Sequence, residues 1–143
     1  MIQIKEISAE ETFPVRLEVL RKNIPLPFEF KGDFDENTFH LGAFKNDKLI
    51  AVSSYMMAEN KNFEGNQCQL RGMATLTEYQ GFGAGKLMLE KAVQILKEKN
   101  NNILWCNARI VAIDFYKKQG FQTFGEKFEI SPVGQHYVMF KKI

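Results

Sequence analysis

The sequence predicts a mixed α/β fold, on three observations. Apolar residues alternate with polar ones in several separate segments. A helical repeat runs over residues 84–99, and a glycine-rich turn joins a predicted strand to that helix. With 143 residues, 45% apolar and 25% charged, the chain has the size and composition of one globular domain spanning residues 1–143. A chain of this length buries roughly two thirds of the surface its unfolded form exposes, so neither a disulfide nor a structural metal is required.

The elements follow in order. Ile2, Ile4 and Ile7 suggest a first strand; Ser8 or Thr12 then offers a cap for a helix carrying Val15, Leu17, Val19 and Leu20, with Pro14 blurring its start. Pro25, Pro27 and Gly32 interrupt every period between Ile24 and Asn37, which predicts a long loop or a short irregular helix. Residues 39–44 and 49–57, divided by Lys45-Asn46-Asp47-Lys48, read as an antiparallel hairpin. A strand over Gln67–Thr75 comes next, then the helix over 84–99 with Ala84, Met88, Ala92 and Ile95 on one face. The run Ile103-Leu104-Trp105-Cys106 suits a strand buried on both faces, residues 110–119 a helix ended by Gly120, and residues 121–143 a terminal hairpin.

Composition and spacing also bound the function. Cys68 and Cys106 lie in apolar stretches without C-x-x-C spacing, which makes them reduced, packed thiols and points to the cytoplasm. No apolar run reaches the length of a membrane span, and Met1-Ile2-Gln3-Ile4-Lys5 alternates like a strand where a signal segment would be basic and then apolar. A net charge of +2 is too small to suggest a nucleic acid partner, and Lys86, Lys91, Lys97 and Lys99 read as a solvated helix face. No His, Cys, Asp and Glu cluster has ligand spacing, so no metal is expected.

The turn Gln80-Gly81-Phe82-Gly83-Ala84-Gly85-Lys86 carries the strongest signal. A glycine-rich entry to a helix exposes unpaired N–H groups at the positive end of the helix dipole, which suits a phosphate; alternatively, the glycines only permit tight packing. A P-loop is excluded because position 80 is Gln and Lys86 is followed by Leu87. A dinucleotide fingerprint is excluded by the spacing G-x-G-x-G, deep in the chain after antiparallel strands.

Gln80-Gly81-Phe82-Gly83-Ala84-Gly85 resembles the pyrophosphate signature [QR]-x-x-G-x-[GA] of the GCN5-related N-acetyltransferases (GNAT). Leu70-Arg71-Gly72-Met73-Ala74-Thr75 looks like that family's preceding cofactor strand. Asn107, Ala112, Phe115-Tyr116 and Gly120-Phe121 look like its next strand and helix, so the likeness spans Cys68 to Phe121. Trp105-Cys106-Asn107-Ala108-Arg109 and Gly125-Glu126-Lys127-Phe128-Glu129 look like a bacterial subgroup known mostly by fold.

The resemblance implies a mostly antiparallel sheet with a splayed parallel strand pair at the cofactor site, and transfer of acetyl from acetyl-CoA to an amine by direct attack. It implies that backbone groups of Met73 and Thr75 pair with the pantetheine arm and the acetyl carbonyl, the Met73 amide steadying the oxyanion. It assigns cofactor contacts to Gln80, Gly81, Phe82, Gly83, Ala84, Gly85, Lys86, Asn107 and Phe115, with a strand-ending turn as the other reading of Asn107. Tyr116 matches the tyrosine that protonates the departing thiolate; its other reading is a core tyrosine beside Phe115.

No residue is forced as general base: Glu126, Glu129, His40 and His136 are open, and a lone histidine on an alternating strand is more often packed or at the surface. Arg71 and Arg109 at the cleft strands suit either an anionic acceptor group or intramolecular ion pairs. Phe28, Phe30 and Phe34 suit an aromatic wall for the acceptor, a core plug or a subunit contact. The acceptor is then a small-molecule or peptide amine, with homodimerisation expected by family analogy. Two other classes remain: a non-catalytic acetyl-CoA sensor on the same fold, and a nucleic acid-binding domain using the lysine-rich helix.

Overall fold

The computed structural model describes residues 1–143 as seven strands and three α-helices. Strand β1 (Ile2–Ile7) leads into helix α1 (Ala9–Leu20), whose start is set by Ser8: its Oγ accepts from the Glu11 amide while the Glu11 carboxylate accepts from the Ser8 amide. That capping box satisfies two amides that the first turn leaves unpaired. Of the two caps considered, Thr12 is instead a buried residue one turn in, donating to the Ala9 carbonyl at 2.6 Å. The inward face of α1 holds Thr12, Val15 and Arg16, whereas Leu17, expected among its apolar residues, is 49% exposed. Residues 21–38 form a loop without a regular helix or strand.

Strands β2 (Phe39–Lys45) and β3 (Lys48–Met56) form the expected hairpin, closed by Asn46 and Asp47 alone, both at positive φ. A two-residue turn of this kind matches the twist of the strands it joins. Strand β4 (Gln67–Thr75) precedes a short 3-10 turn at Thr77–Tyr79 and helix α2 (Ala84–Glu98). Strand β5 (Ile103–Arg109) runs three residues beyond the apolar run that announced it. The expected helix over 110–119 is a 3-10 turn at Ile110–Ala112 followed by α3 (Ile113–Lys118). Strands β6 (Gln122–Ile130) and β7 (Gly134–Lys142) form the terminal hairpin.

The strands build one sheet in the order β1-β2-β3-β4-β5-β7-β6, antiparallel except between β4 and β5. The main core lies on the face covered by α2 and α3 and includes Leu41, Tyr55, Leu70, Met88, Ala92, Leu104, Tyr116 and Met139. A smaller cluster of Val15, Val52 and Ala74 lies on the α1 face.

Two irregularities in β4 shape everything that follows. Its pairing to β5 covers only Gln67↔Ile103, Cys68↔Leu104 and Gln69↔Trp105, so residues 70–75 have no strand on that side. On the β3 side the register slips between Val52↔Ala74 and Ser54↔Arg71, which is a bulge at Gly72 and Met73. An extra residue reverses the alternation of side chains. Cys68, Leu70 and Met73 consequently face α2, while Gly72 and Ala74 face α1.

Gly72 takes φ of +65°, and a Cβ there would come within 2.9 Å of Phe30 Cε2 and 3.2 Å of Arg16 Nε. Gly72→Ala is therefore expected to cost about 2 kcal/mol from the left-handed backbone and the crowded ring, lowering Tm by roughly 6 °C in a thermal melt. An unchanged melting temperature would show that the bulge can relax without penalty.

Candidate active site

Where β4 and β5 part, a cleft of about 260 Å³ opens. Its walls come from both strands, from the end of α1 with the loop after it, from Ala112 and Tyr116 after β5, and from the β6–β7 hairpin. The two faces of the sheet supply different chemistry to it. Cys106 and Ala108 of β5 point into the main core with Tyr116, so Asn107 and Arg109 point to the α1 side. His136 stands opposite Arg109 in the β5–β7 ladder and therefore shares its face.

On the α2 face the glycine-rich turn is open. Gly83 is the N-cap of α2 at φ of +90°, no side chain caps the helix, and no acid sits in its first turn. The first helical bond runs from the Leu87 amide to the Gly83 carbonyl, so the amides of Ala84, Gly85 and Lys86 precede the helix ladder. A Cβ at Gly81 or Gly83 would meet nothing within 4 Å, so the packing alternative does not account for these two glycines. It does account for Gly85, where a Cβ would stand 2.9 Å from Phe115 Cζ.

Gly85 is thus the point at which α2, α3 and Met73 of β4 meet, linking the turn to the cleft. Gln80 fixes the approach by donating from Nε2 to the Thr75 carbonyl at 3.2 Å. Phe82 is 61% exposed, with Lys45 Nζ 4.9 Å from its ring centre. Lys45 thereby comes beside the turn that Lys86 ends, a contribution from the distant β2 hairpin that sequence reasoning did not find.

Tyr116 is 6% exposed and packed between Phe115 and Phe121, with ring centres 5.1 and 5.3 Å away. Burial pushes its phenol well above the ordinary value, with Cys106 and Tyr55 adding to the effect, so the proton is held at neutral pH. The core reading of this residue holds, and the same side chain also lines the cleft. Burial likewise raises Cys106 and Cys68 to about 12, leaving both as neutral thiols.

The candidates for a base separate cleanly. Glu126 and Glu129 are exposed on β6 and do not line the cleft. His40 is locked inside the fold: Nε2 donates to the Asp33 carbonyl at 3.0 Å and Nδ1 accepts from Ser54 Oγ at 2.7 Å. His136, left open with His40 in the sequence, is equally buried at 4% exposed, and it is also a cleft wall residue. Its Nδ1 lies 2.8 Å from the Gly134 carbonyl, which can only accept, so Nδ1 carries a proton and, in the neutral ring, Nε2 holds the lone pair.

The α1 side is organised by a buried pair that the sequence did not disclose. Arg16 grips Asp33 with two bonds, Nη1 to Oδ2 at 2.8 Å and Nη2 to Oδ1 at 2.9 Å, and also donates to the Phe28 carbonyl and to Ser54 Oγ. Burial alone would raise Asp33, but the bonds from Arg16 and the Phe30 amide outweigh it and hold the carboxyl below its ordinary range. The pair pins residues 28–33 against the sheet and sets Phe30 over Arg16, 3.9 Å from the guanidinium carbon to the ring centre. Of the three phenylalanines considered as an acceptor wall, only Phe30 lines the cleft. Phe28 packs on Phe13, and Phe34 is 67% exposed.

A sheet split between two parallel strands, beside the uncapped N-terminus of a long helix, defines the class of acyl-CoA N-acyltransferases. The chain belongs to the acetyltransferase (GNAT) family, whose pattern matches residues 2–121. It is 35% identical over 145 aligned residues to the uncharacterised N-acetyltransferase YitI of Bacillus subtilis, an alignment covering 100% of this chain and 97% of that protein. The fold is similar to that of Escherichia coli ElaA, with a TM-score of 0.80, 17% identity and 99% of each chain covered. It is also similar to the PaiA N-acetyltransferase of Thermoplasma acidophilum in complex with coenzyme A, with a TM-score of 0.67, 20% identity, and 100% and 99% of the two chains covered. No helix of the chain is long and apolar enough to cross a membrane.

Proposed function

We propose that this acetyltransferase takes its acetyl group from acetyl-CoA and passes it to a primary amine by direct attack, with both substrates bound together. The observation that carries the reading is the continuity between the open turn at Gly81–Lys86 and the gap between β4 and β5, joined at Gly85 and Met73. The free amides of the turn, the helix dipole, Lys86 and Lys45 suit a pyrophosphate, and the unpaired edge of β4 suits an amide-bearing arm. Acetyl-CoA supplies an activated thioester when bound.

The chain's own groups then divide the work. In this reading an amide of the unpaired edge, assigned to Met73, donates to the acetyl carbonyl and stabilises developing negative charge, a contact worth about 3 kcal/mol of barrier. Thr75 holds the arm nearer the turn, although its carbonyl already accepts from Gln80. Tyr116 lines the cleft on the α2 face and is assigned the proton for the departing thiolate, a transfer that the burial-raised phenol of the free protein makes harder and that its position favours. The amine approaches from the α1 face, where Asn107 and the free Nε2 of His136 lie, and His136 takes its proton directly or through water.

Two measurements separate binding from chemistry. In calorimetric titration acetyl-CoA binds the wild type, and Gly83→Asp weakens it at least about thirtyfold by placing a carboxylate where the pyrophosphate lies. Equal affinity in a folded mutant would put the cofactor elsewhere. Tyr116→Phe is expected to lower kcat at least about tenfold while leaving acetyl-CoA affinity within a factor of about two. A loss of less than about threefold would remove the acid role from Tyr116.

A further inference from the structure

The arginines of the cleft outnumber anything that the fold requires of them. Arg21 at the end of α1, Arg71 of β4 and Arg109 of β5 line one cleft from three different elements, and no Asp or Glu lines it with them. The ion pair between Arg16 and Asp33 is the only one in the molecule, and its carboxylate is fully engaged from below. The partners that the three arginines do have are neutral. Arg21 donates to the carbonyls of Pro27 and Leu20, Arg109 donates to the Leu20 carbonyl, and Arg71 stacks on Phe30 at 4.3 Å. Each guanidinium carries five donors, so most remain available. Burial lowers the pKa of all three, and Arg109, Arg71 and Arg16 add a further lowering at Arg21. Positive charge is concentrated in a half-buried space, and Asp33, already paired to Arg16, is the one carboxylate that acts on any of the three, partly offsetting the lowering at Arg71; such an arrangement favours an entering anion.

We propose that the amine acceptor carries an anionic group, a carboxylate or a phosphate within a few bonds of the reacting nitrogen, and that Arg21, Arg71 and Arg109 hold that group. The inference rests on the acetyltransferase reading and narrows it. The planar forks of arginine match the oxygens of either anion, and their origin on three elements surrounds it. Phe30 forms the floor on which Arg71 lies, so the loop pinned by Arg16 and Asp33 sets the acceptor site even though neither residue lines the cleft.

The same charge does a second task. Guanidinium groups near the reacting nitrogen favour its neutral form over the ammonium, and only the neutral amine is nucleophilic. A polycationic amine is excluded on the same ground. The cleft volume of about 260 Å³ suits a compact acceptor, with His136 on the arginine face to receive the proton.

The test measures release of the coenzyme A thiol from acetyl-CoA with matched amines: glycine against glycinamide, phosphoethanolamine against ethanolamine, and spermidine as the polycation. The expected result is that the anionic member of one pair exceeds its neutral partner in kcat/KM by at least about tenfold, the pair itself telling carboxylate from phosphate. In Arg71→Gln and Arg21→Gln, KM for that amine rises by about tenfold or more, while acetyl-CoA affinity stays within a factor of about two. Equal or better turnover of the neutral amines or of spermidine, or a preference that survives both substitutions, overturns the proposal and leaves the acetyltransferase reading standing.

If no amine of the set is acetylated, calorimetric titration of N-acetylglycine and of inorganic phosphate into the coenzyme A-bound protein decides. Saturable binding that Arg71→Gln abolishes supports the anion site, and its absence for both probes overturns it. Failure of the wild type to bind acetyl-CoA at all defeats the underlying reading, and this one with it.

Discussion

The parting of β4 from β5 after three residue pairs is the constraint on which the rest of the structure depends. A sheet does not leave a central strand unpaired without cause, because every unmatched N–H and C=O must find another partner. Here the bulge at Gly72 and Met73 lets β4 remain bonded to β3 while its other edge turns away. The same bulge reverses side-chain alternation, so that Met73 meets α2 and α3 while Gly72 leaves room for Phe30 on the opposite face. One inserted residue thus creates an open edge, a passage through the sheet and a close approach for the loop carrying Phe30.

The two ends of that passage differ in charge and in stiffness. At the turn before α2, positive potential comes from backbone amides and the helix dipole, with lysines at the rim. On the α1 side it comes from arginine side chains, Arg21 and Arg71 held by the loop and Arg109 by the end of α1. That loop lacks regular structure, yet the closed circuit from Asp33 through Arg16 and Ser54 to His40 and back to the Asp33 carbonyl anchors it. Breaking such a buried pair typically costs about 3 to 5 kcal/mol, roughly a third of a domain's stability, so the circuit links the cleft wall to the stability of the fold. Arg16 Nε remains without a hydrogen-bond partner beneath Phe30, a local cost borne where the loop is fixed.

Legibility in the sequence followed the range of the interactions. Capping by Ser8, the hairpin at Asn46-Asp47 and the amphipathic α2 are local and could be read within a few residues. The glycine turn was legible because its chemistry is carried by the backbone, and the parallel strand pair came with the family resemblance. Long-range charge was not legible. Arg16 sits in a helix pattern that reads as apolar with Leu17, and nothing near it announces Asp33 seventeen residues on. The two histidines looked alike as lone residues on alternating strands. Both are buried, and only the sheet register ties one into a hydrogen-bonded circuit and sets the other opposite Arg109 at the cleft. Arg21 escaped notice because it lies at the end of a helix, far in sequence from Arg71 and Arg109.

The central claim is that acetyl-CoA occupies the unpaired edge of β4 and the first turn of α2. Amide hydrogen exchange with and without saturating acetyl-CoA tests it most directly. Amides in these segments that lack partners in the free protein are slowed only by direct contact, whereas general stabilisation acts on amides already protected. The account predicts at least about tenfold slowing within residues 70–75 and 84–86, with the exposed edge of β6 unchanged. Binding of acetyl-CoA with no slowing in these two segments, or with slowing confined to another part of the sheet, would contradict it.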